Sequence, residues 1–215
     1  TQFALKLNDS NKLTKIGTMG QILAYALAAP TGQIRIEAPI PGKTLVGIEV
    51  PNDQIETVGL RTLLESNNMR NNDNPTTVGL GKDLSGEALS YELARMPHLL
   101  IAGTTGSGKS ICIHSIIQSI LFRAPPTEVR MILVDAKRVE LNNYADIPYL
   151  LAPVITEVSR VVPTLRWCVQ EMYDRLKTFE QTGAKNLADY NNRHPESALP
   201  YIMVIIDELN DIMMQ

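Results

Sequence analysis

A glycine-rich octapeptide near the middle of the chain sets the architecture expected around it. Residues 103–110 read Gly-Thr-Thr-Gly-Ser-Gly-Lys-Ser and fit the pattern Gly-x-x-x-x-Gly-Lys-Ser/Thr. A short apolar run, His98 to Ala102, comes directly before it, and apolar residues at helical spacing, Ile111 to Phe122, follow it. A strand, a glycine-rich loop and a helix in this order predict a loop that binds phosphate groups.

Phosphate binding by such a loop depends on its backbone, because glycines let the chain curl with its N–H groups turned inward. Lys109 is predicted to reach the β- and γ-phosphates of ATP as a catalytic cation, and the Ser110 hydroxyl to bind Mg²⁺. The predicted ATP-binding residues are the whole octapeptide: Gly103, Thr104, Thr105, Gly106, Ser107, Gly108, Lys109 and Ser110.

A second acidic element follows the apolar run Tyr201 to Ile206. Ligands of open α/β sheets bind where strands end, and this run ends in Asp207 and Glu208. We expect Asp207 to hold the Mg²⁺ ion and Glu208 to activate the attacking water. Asp135 ends the run Val129 to Val134 in an equivalent place and ranks second for the metal role.

Other polar residues carry weaker signals. The segment Asp135-Ala136-Lys137-Arg138 is open to three interpretations: it lines the nucleotide pocket, contacts a neighbouring subunit, or is a solvated loop. The three histidines, Trp167 and the two cysteines, Cys112 and Cys168, have no metal-ligand or redox spacing and are most simply structural.

The pattern of elements predicts two regions. Residues 1–75 combine short alternating strands (1–7, 33–38 and 43–50) with one helical stretch (12–29), which predicts a small α+β module. The asparagine-rich stretch 66–77 reads as a linker. Residues 76–215 alternate strands and helices, which predicts an α/β nucleotide-hydrolase core with a mainly parallel sheet. In its longest helix, apolar residues recur every three to four positions from Val158 to Phe179, with Pro163 near the start.

Composition narrows the possible partners only slightly. No apolar run reaches the roughly 18 residues of a membrane span. The net charge of −3 shows no basic surface of the kind common among nucleic-acid binders. A motor that grips DNA through a few loops inside a ring does not need an overall basic charge, so this argument against DNA is mild.

Beyond the generic patterns, the chain resembles the motor domain of the FtsK/SpoIIIE family of DNA translocases. The lead-in and loop from Met96 to Ser110 are similar to that family's far beyond the octapeptide alone. The resemblance extends over nearly the whole chain through further segments: Pro41–Lys43, Gly47–Asn52, Gly79–Asp83, Ile147–Leu151, Leu165–Met172 and Asn186–Asn191.

The chain departs from the family pattern at three points. Ala136 stands where the family usually has proline, Asn210 where it usually has alanine, and Pro163 lies in a helix that is normally uninterrupted. None of these changes touches Lys109, Ser110, Asp207 or Glu208, so we expect the catalytic chemistry to survive.

The resemblance implies a RecA-like P-loop NTPase core and a DNA-translocating ATPase. It implies a homo-hexameric ring around double-stranded DNA that moves the DNA by ATP hydrolysis in chromosome segregation at cell division or sporulation. It also implies that this is part of a longer protein, a cytoplasmic domain anchored to the bacterial inner membrane by a segment outside the 215 residues. The family's sensor residue and arginine finger are expected beyond Gln215, so that the chain alone would be a poor ATPase.

Two other functions stay open from the sequence. A related secretion or conjugation ATPase would move protein or single-stranded DNA, and the family-like helix Leu165–Met172 and the N-terminal module argue against it. A nucleotide-binding scaffold would bind ATP without turnover, and Glu208 argues against it because a binding-only module has no use for a water-activating carboxylate.

Overall fold

The computed structural model describes residues 1–7, 12–54 and 56–214. Two compact units are present. One comprises Thr1–Gly59 with Lys82–Glu87, and the other Leu60–Gly81 with Ala88–Gln215. The predicted plan of a small α+β part followed by a larger parallel α/β part is confirmed.

The first unit is built on a three-stranded antiparallel sheet in the order β1-β3-β2. Its sheet core includes Val46 and Ile48 on β3, and Ala24 is buried on a helix of the same unit. The helix expected over 12–29 is divided at Met19, between Gly17 and Gly20, because glycine weakens a helix interior. The elements are β1 (Gln2–Leu5), α1 (Lys12–Thr18), α2 (Gly20–Ala26), β2 (Arg35–Glu37) and β3 (Val46–Glu49).

The second unit is centred on two parallel strands, β6 and β7. They pair in register from Val129 opposite Tyr201 to Val134 opposite Ile206. Parallel bridges from Met131 to Leu150 and from Val134 to Ile155 extend the sheet on the other edge of β6. The elements are α3 (Leu60–Leu64), α4 (Asn67–Arg70), β4 (Thr77–Lys82), β5 (Ala88–Glu92), α5 (Lys109–Arg123), β6 (Val129–Val134), α6 (Val158–Thr182), α7 (Leu187–Arg193), β7 (Tyr201–Ile206) and α8 (Leu209–Met213).

Helices cover β6 on both faces, which explains its apolar sequence from Met131 to Val134. Successive strand side chains point to opposite faces. Val129, Met131 and Leu133 belong to a core shared with α5, whereas Ile132 and Val134 pack in a second cluster with Val161 of α6. A strand buried on both faces is typical of parallel α/β sheets, so this arrangement fixes β6 at the centre of the unit.

The predicted boundary at residue 75 is not where the structure divides, because residues 60–75 belong to the second unit. Leu63 and Met69 are buried there, and the Arg123 side chain of α5 donates hydrogen bonds to the carbonyl oxygens of Met69 and Asn72. Both hydrogen bonds are charge-assisted, because the guanidinium donor is ionised. The asparagine-rich stretch is therefore a folded part of the second unit and not a linker.

The strand predicted at His98–Ala102 is also absent, since residues 98–104 carry no regular secondary structure. A strand exists only where a neighbour pairs with its backbone. Both edges of β6 are occupied, by β7 and by residues 149–155, residues 98–102 do not pair with the other edge of β7, and Leu100 is 76% exposed. The octapeptide thus follows an irregular segment that pairs with no strand of the described residues.

The long helix α6 begins at Val158, and Pro163 is its sixth residue, where the ring removes the N–H that would donate to the Ser159 carbonyl. Of its periodic apolar residues, Val161 is buried, whereas Leu165, Val169, Met172 and Leu176 are exposed.

None of the helices in the described residues combines the length and the apolar character of a membrane span.

Candidate nucleotide-binding site

The octapeptide forms a loop that leads directly into α5. The Ser107 N–H donates to the Thr104 carbonyl at 3.0 Å, and Gly106 and Gly108 have φ angles of 79° and 96°. Only glycine adopts such positive angles without strain. Helix α5 begins at Lys109, and the first N–H groups of a helix lack partners within it and favour anions. The loop therefore presents a helix start suited to phosphate.

Gly103 is constrained by close packing and not by its backbone angles. A Cβ atom at this position would lie 2.2 Å from the Ser107 Oγ and 3.0 Å from the Ser107 Cβ. The hydroxyl can rotate away, but the Ser107 Cβ cannot. Only glycine at 103 allows the loop to close on itself in this way.

We expect Gly103→Ala to weaken ATP binding about tenfold, because overpacking of about 1–3 kcal/mol would open the loop. Adding Ser107→Gly removes the clash and should restore most of the affinity. Isothermal titration with a non-hydrolysable ATP analogue measures both. Gly17→Ala is the matched control, since no atom lies within 4 Å of a Cβ there. Equal affinities for Gly103→Ala and the native protein would contradict this account of the loop.

The two predicted carboxylates lie at the carboxyl end of β7. The Asp207 N–H donates to the Val134 carbonyl at 3.1 Å, which continues the pairing with β6. Asp135, which follows Val134, therefore ends the neighbouring strand at the same edge. The sheet thus brings together the first and second choices for the metal ligand, as expected for parallel strands.

Glu208 lies between two lysines. Its Oε2 atom is 4.0 Å from the Lys109 Nζ of the octapeptide and 3.6 Å from the Lys137 Nζ of the loop after β6. Lys137 also lies 3.4 Å from the Asp211 Oδ2 on α8. The structure therefore unites the predicted catalytic pair, Lys109 and Glu208, in one site. In the described residues no hydrogen bond or ion pair joins Ser110 to Asp207.

The electrostatics at Asp207 favour a bound cation. Burial is the main cause that raises the pKa of Asp207, and the nearby carboxylates of Asp135, Glu140 and Glu208 raise it further. Lys137 acts in the opposite direction but does not cancel them. Four acidic groups thus lie close together at one end of the sheet. The positive charge around Asp207 is too small to balance them.

Asp135 is fully buried and shapes the loop that follows it. Its Oδ2 atom accepts hydrogen bonds from the backbone N–H groups of Glu140 at 3.0 Å and Leu141 at 2.9 Å. Its Oδ1 atom is buried without a hydrogen-bond partner within the described chain. One oxygen of Asp135 is therefore committed to the loop, and the other is left to an external donor or cation.

Several residues of this site escaped the sequence analysis. His114 of α5 bonds the Tyr144 hydroxyl at 2.9 Å through Nδ1, and its Nε2 lies 3.6 Å from the Glu140 carboxylate. The sequence left three interpretations open for Lys137 and assigned no role to Asp211. Glu140 could have been predicted from the sequence, because it lies only five residues after Asp135, at the end of one short loop.

Among curated proteins, the chain is 48% identical over 214 residues to the DNA translocase FtsK of Caldanaerobacter subterraneus, matching all of this chain and 30% of that protein. It is 49% identical to the DNA translocase SpoIIIE of Bacillus subtilis, over 94% of this chain and 27% of that protein. The chain thus spans less than a third of the length of these relatives.

Solved structures show the same fold. The pCW3 conjugation coupling protein TcpA, solved as a monomer with ATPγS, has a TM-score of 0.61 and 25% identity over 99% of this chain and 56% of its own. The cytoplasmic domain of the type VII secretion ATPase EccC of Thermomonospora curvata has a TM-score of 0.55 and 21% identity over 74% of this chain and 20% of its own. The predicted RecA-like P-loop NTPase fold is confirmed.

Two protein-family models match successive parts of the chain. Residues 1–52 match the FtsK alpha domain, and residues 59–215 match the FtsK/SpoIIIE family. With these matches and the two relatives at close to half identity, the chain belongs to the FtsK/SpoIIIE family.

Proposed function

We propose that this chain is the ATP-hydrolysing segment of a double-stranded DNA translocase that acts in chromosome segregation at cell division or sporulation. The observation that carries the proposal is the meeting of Lys109 and Glu208, at 4.0 Å, in a chain 48% and 49% identical to two DNA translocases. A cation from a phosphate-binding loop beside a carboxylate at a strand end is the arrangement that ATP hydrolysis needs.

Each group has a distinct part in the proposed reaction, in which ATP and water give ADP and inorganic phosphate. The backbone of residues 103–110 and the start of α5 hold the phosphates. Lys109 leaves Glu208 and binds the β- and γ-phosphates, and Glu208 orients the attacking water and accepts its proton. A pair of 4.0 Å at partly exposed side chains is weak enough for this exchange.

The donor set at the sheet edge fits Mg²⁺. Hard divalent cations prefer oxygen ligands, and the crowded carboxylate of Asp207 and the unpartnered Oδ1 of Asp135 are such oxygens. Asp207 and the Ser110 hydroxyl would hold the ion, with Asp135 as the alternative carboxylate. Bound there, the ion supplies positive charge that neutralises charge developing on the phosphate oxygens.

DNA as a partner is supported by the family and by the two relatives that are DNA translocases. Double-stranded DNA as cargo, a homo-hexameric ring and a membrane anchor in the full-length protein all belong to this proposal. A cytoplasmic location of this segment belongs to it as well.

ATPase assays on the full-length protein test the proposed function. We expect linear duplex DNA to raise the hydrolysis rate several-fold, and Lys109→Ala to lose both the basal and the stimulated rate. Stimulation by single-stranded DNA alone would favour a conjugation-type ATPase, the class to which the TcpA neighbour belongs by name. Nucleotide binding without hydrolysis would favour a scaffold.

Electron microscopy of the full-length protein tests the assembly separately. With linear duplex DNA and a non-hydrolysable ATP analogue, we expect rings threaded on DNA. Monomers or unthreaded particles under conditions of full nucleotide binding would contradict the ring.

A further inference from the structure

Lys137 joins two carboxylates that lie three residues apart at the start of α8. Its Nζ is 3.4 Å from the Asp211 Oδ2 and 3.6 Å from the Glu208 Oε2. Residues three apart share one face of a helix turn, so a single ammonium group can contact both. The Asp211 carboxylate is the main cause of the raised pKa of the Lys137 ammonium group, and the charge of Glu208 raises it further. Asp211 therefore anchors the lysine beside Glu208.

The loop that carries Lys137 is closed by its own hydrogen bonds. The Arg138 N–H donates to the Asp135 carbonyl at 3.2 Å, and the Asp135 side chain accepts from Glu140 and Leu141. Arg138 has a φ angle of 60°, in the left-handed region that a non-glycine residue enters only where its surroundings impose it. Because Asp135 is buried at the end of β6, this loop is a fixed support for Lys137.

The two lysines beside Glu208 differ in the partners that we expect them to have when ATP binds. Lys109 belongs to the octapeptide and is drawn to the phosphates in the proposed reaction. Lys137 belongs to the separate loop after β6 and keeps Asp211 as a partner. Glu208 then depends on Lys137 as the remaining cation that fixes its carboxylate.

We propose that Lys137, anchored by Asp211, is a positioning residue that holds the Glu208 carboxylate in place once Lys109 has moved to the phosphates. The inference rests on the proposed function, because it assumes that Glu208 activates water. It assigns a role to one of the loop residues that the sequence left open.

Steady-state ATPase kinetics of the full-length protein with duplex DNA test the inference. We expect Lys137→Met to lower kcat about 10- to 100-fold, because misplacing a catalytic group costs this much, with KM for ATP within about twofold of the native value. Lys137→Arg retains the charge and should recover most of kcat. Asp211→Asn should lower kcat less than Lys137→Met does.

The double variant Lys137→Met/Asp211→Asn separates positioning from general structure. If Asp211 acts through Lys137, the double variant should have the kcat of Lys137→Met alone. Additive losses, or no rescue by Lys137→Arg, would overturn the proposed chain of contacts. Lys177→Met is the matched control, because Lys177 forms an exposed ion pair with Asp174 at 3.6 Å on α6, and it should keep native kinetics.

The remaining outcomes are also decisive. Native kcat in Lys137→Met would overturn the inference, and so would a raised kcat, since the lysine would then restrain Glu208. A raised KM with unchanged kcat would make Lys137 a nucleotide contact. Failure of the proposed function gives a different result, with no hydrolysis in the native protein or in Lys177→Met.

Discussion

Replacing Glu208 with glutamine is expected to abolish ATP turnover while leaving ATP binding intact. Glutamine has nearly the same shape as glutamate but cannot accept a proton from water, and a lost general base costs about 10²- to 10⁴-fold in rate. The change also removes the negative charge 4.0 Å from the Lys109 Nζ. Lys109 is then free for the phosphates, so ATP affinity should be equal to or higher than that of the native protein.

Single-turnover hydrolysis and binding of an ATP analogue measure the two effects on the same full-length preparation. Glu180→Gln is the matched control, since Glu180 is an exposed residue of α6 and the change is chemically identical. It should leave both measurements unchanged. Retained turnover in Glu208→Gln would remove Glu208 from the mechanism.

Ile117→Ala is expected to destabilise the second unit by about 2–5 kcal/mol, because it leaves a cavity in a close-packed core. Ile117 is fully buried in the cluster that α5 forms with Val129, Met131 and Leu133 of β6. Hydrogen exchange of the β6 amides reports the opening free energy of this unit within the full-length protein. Their protection should fall in proportion to the loss of stability.

Ile111→Ala is the control on the same helix, because Ile111 is 68% exposed. Surface substitutions of this kind change stability by about 0.5 kcal/mol or less. Similar losses of protection in the two variants would contradict the assignment of the core to the face of α5 that carries Ile117.

The sequence predicted best where local rules suffice. The octapeptide is defined by its own residues, and the double-sided burial of β6 is visible in the apolar run Met131 to Val134. Asp135 and Asp207 lie at one edge of the sheet, as the rule for the ends of parallel strands predicts.

Three features depend on long-range contacts that no local pattern encodes. Residues 98–102 have strand-like composition but no paired neighbour. Residues 66–77 look like a linker in the sequence, but the Arg123 side chain binds the carbonyl groups of Met69 and Asn72, which lie 54 and 51 residues before it. Lys137 is open to three interpretations in the sequence, and its partners become apparent only when the loop after β6 is placed beside α8.

The carboxylates that lie close to Asp207 serve the proposed reaction but lower the stability of the folded protein. The raised pKa means that the folded protein holds this proton to a higher pH than the unfolded chain does. The stabilising effect of the proton is complete below the ordinary pKa and disappears as the pH rises through the raised value. At neutral pH the ionised Asp207 carboxylate therefore opposes folding. Selection that retains these charges for the proposed reaction must retain well-packed cores such as that of α5 and β6 to offset them.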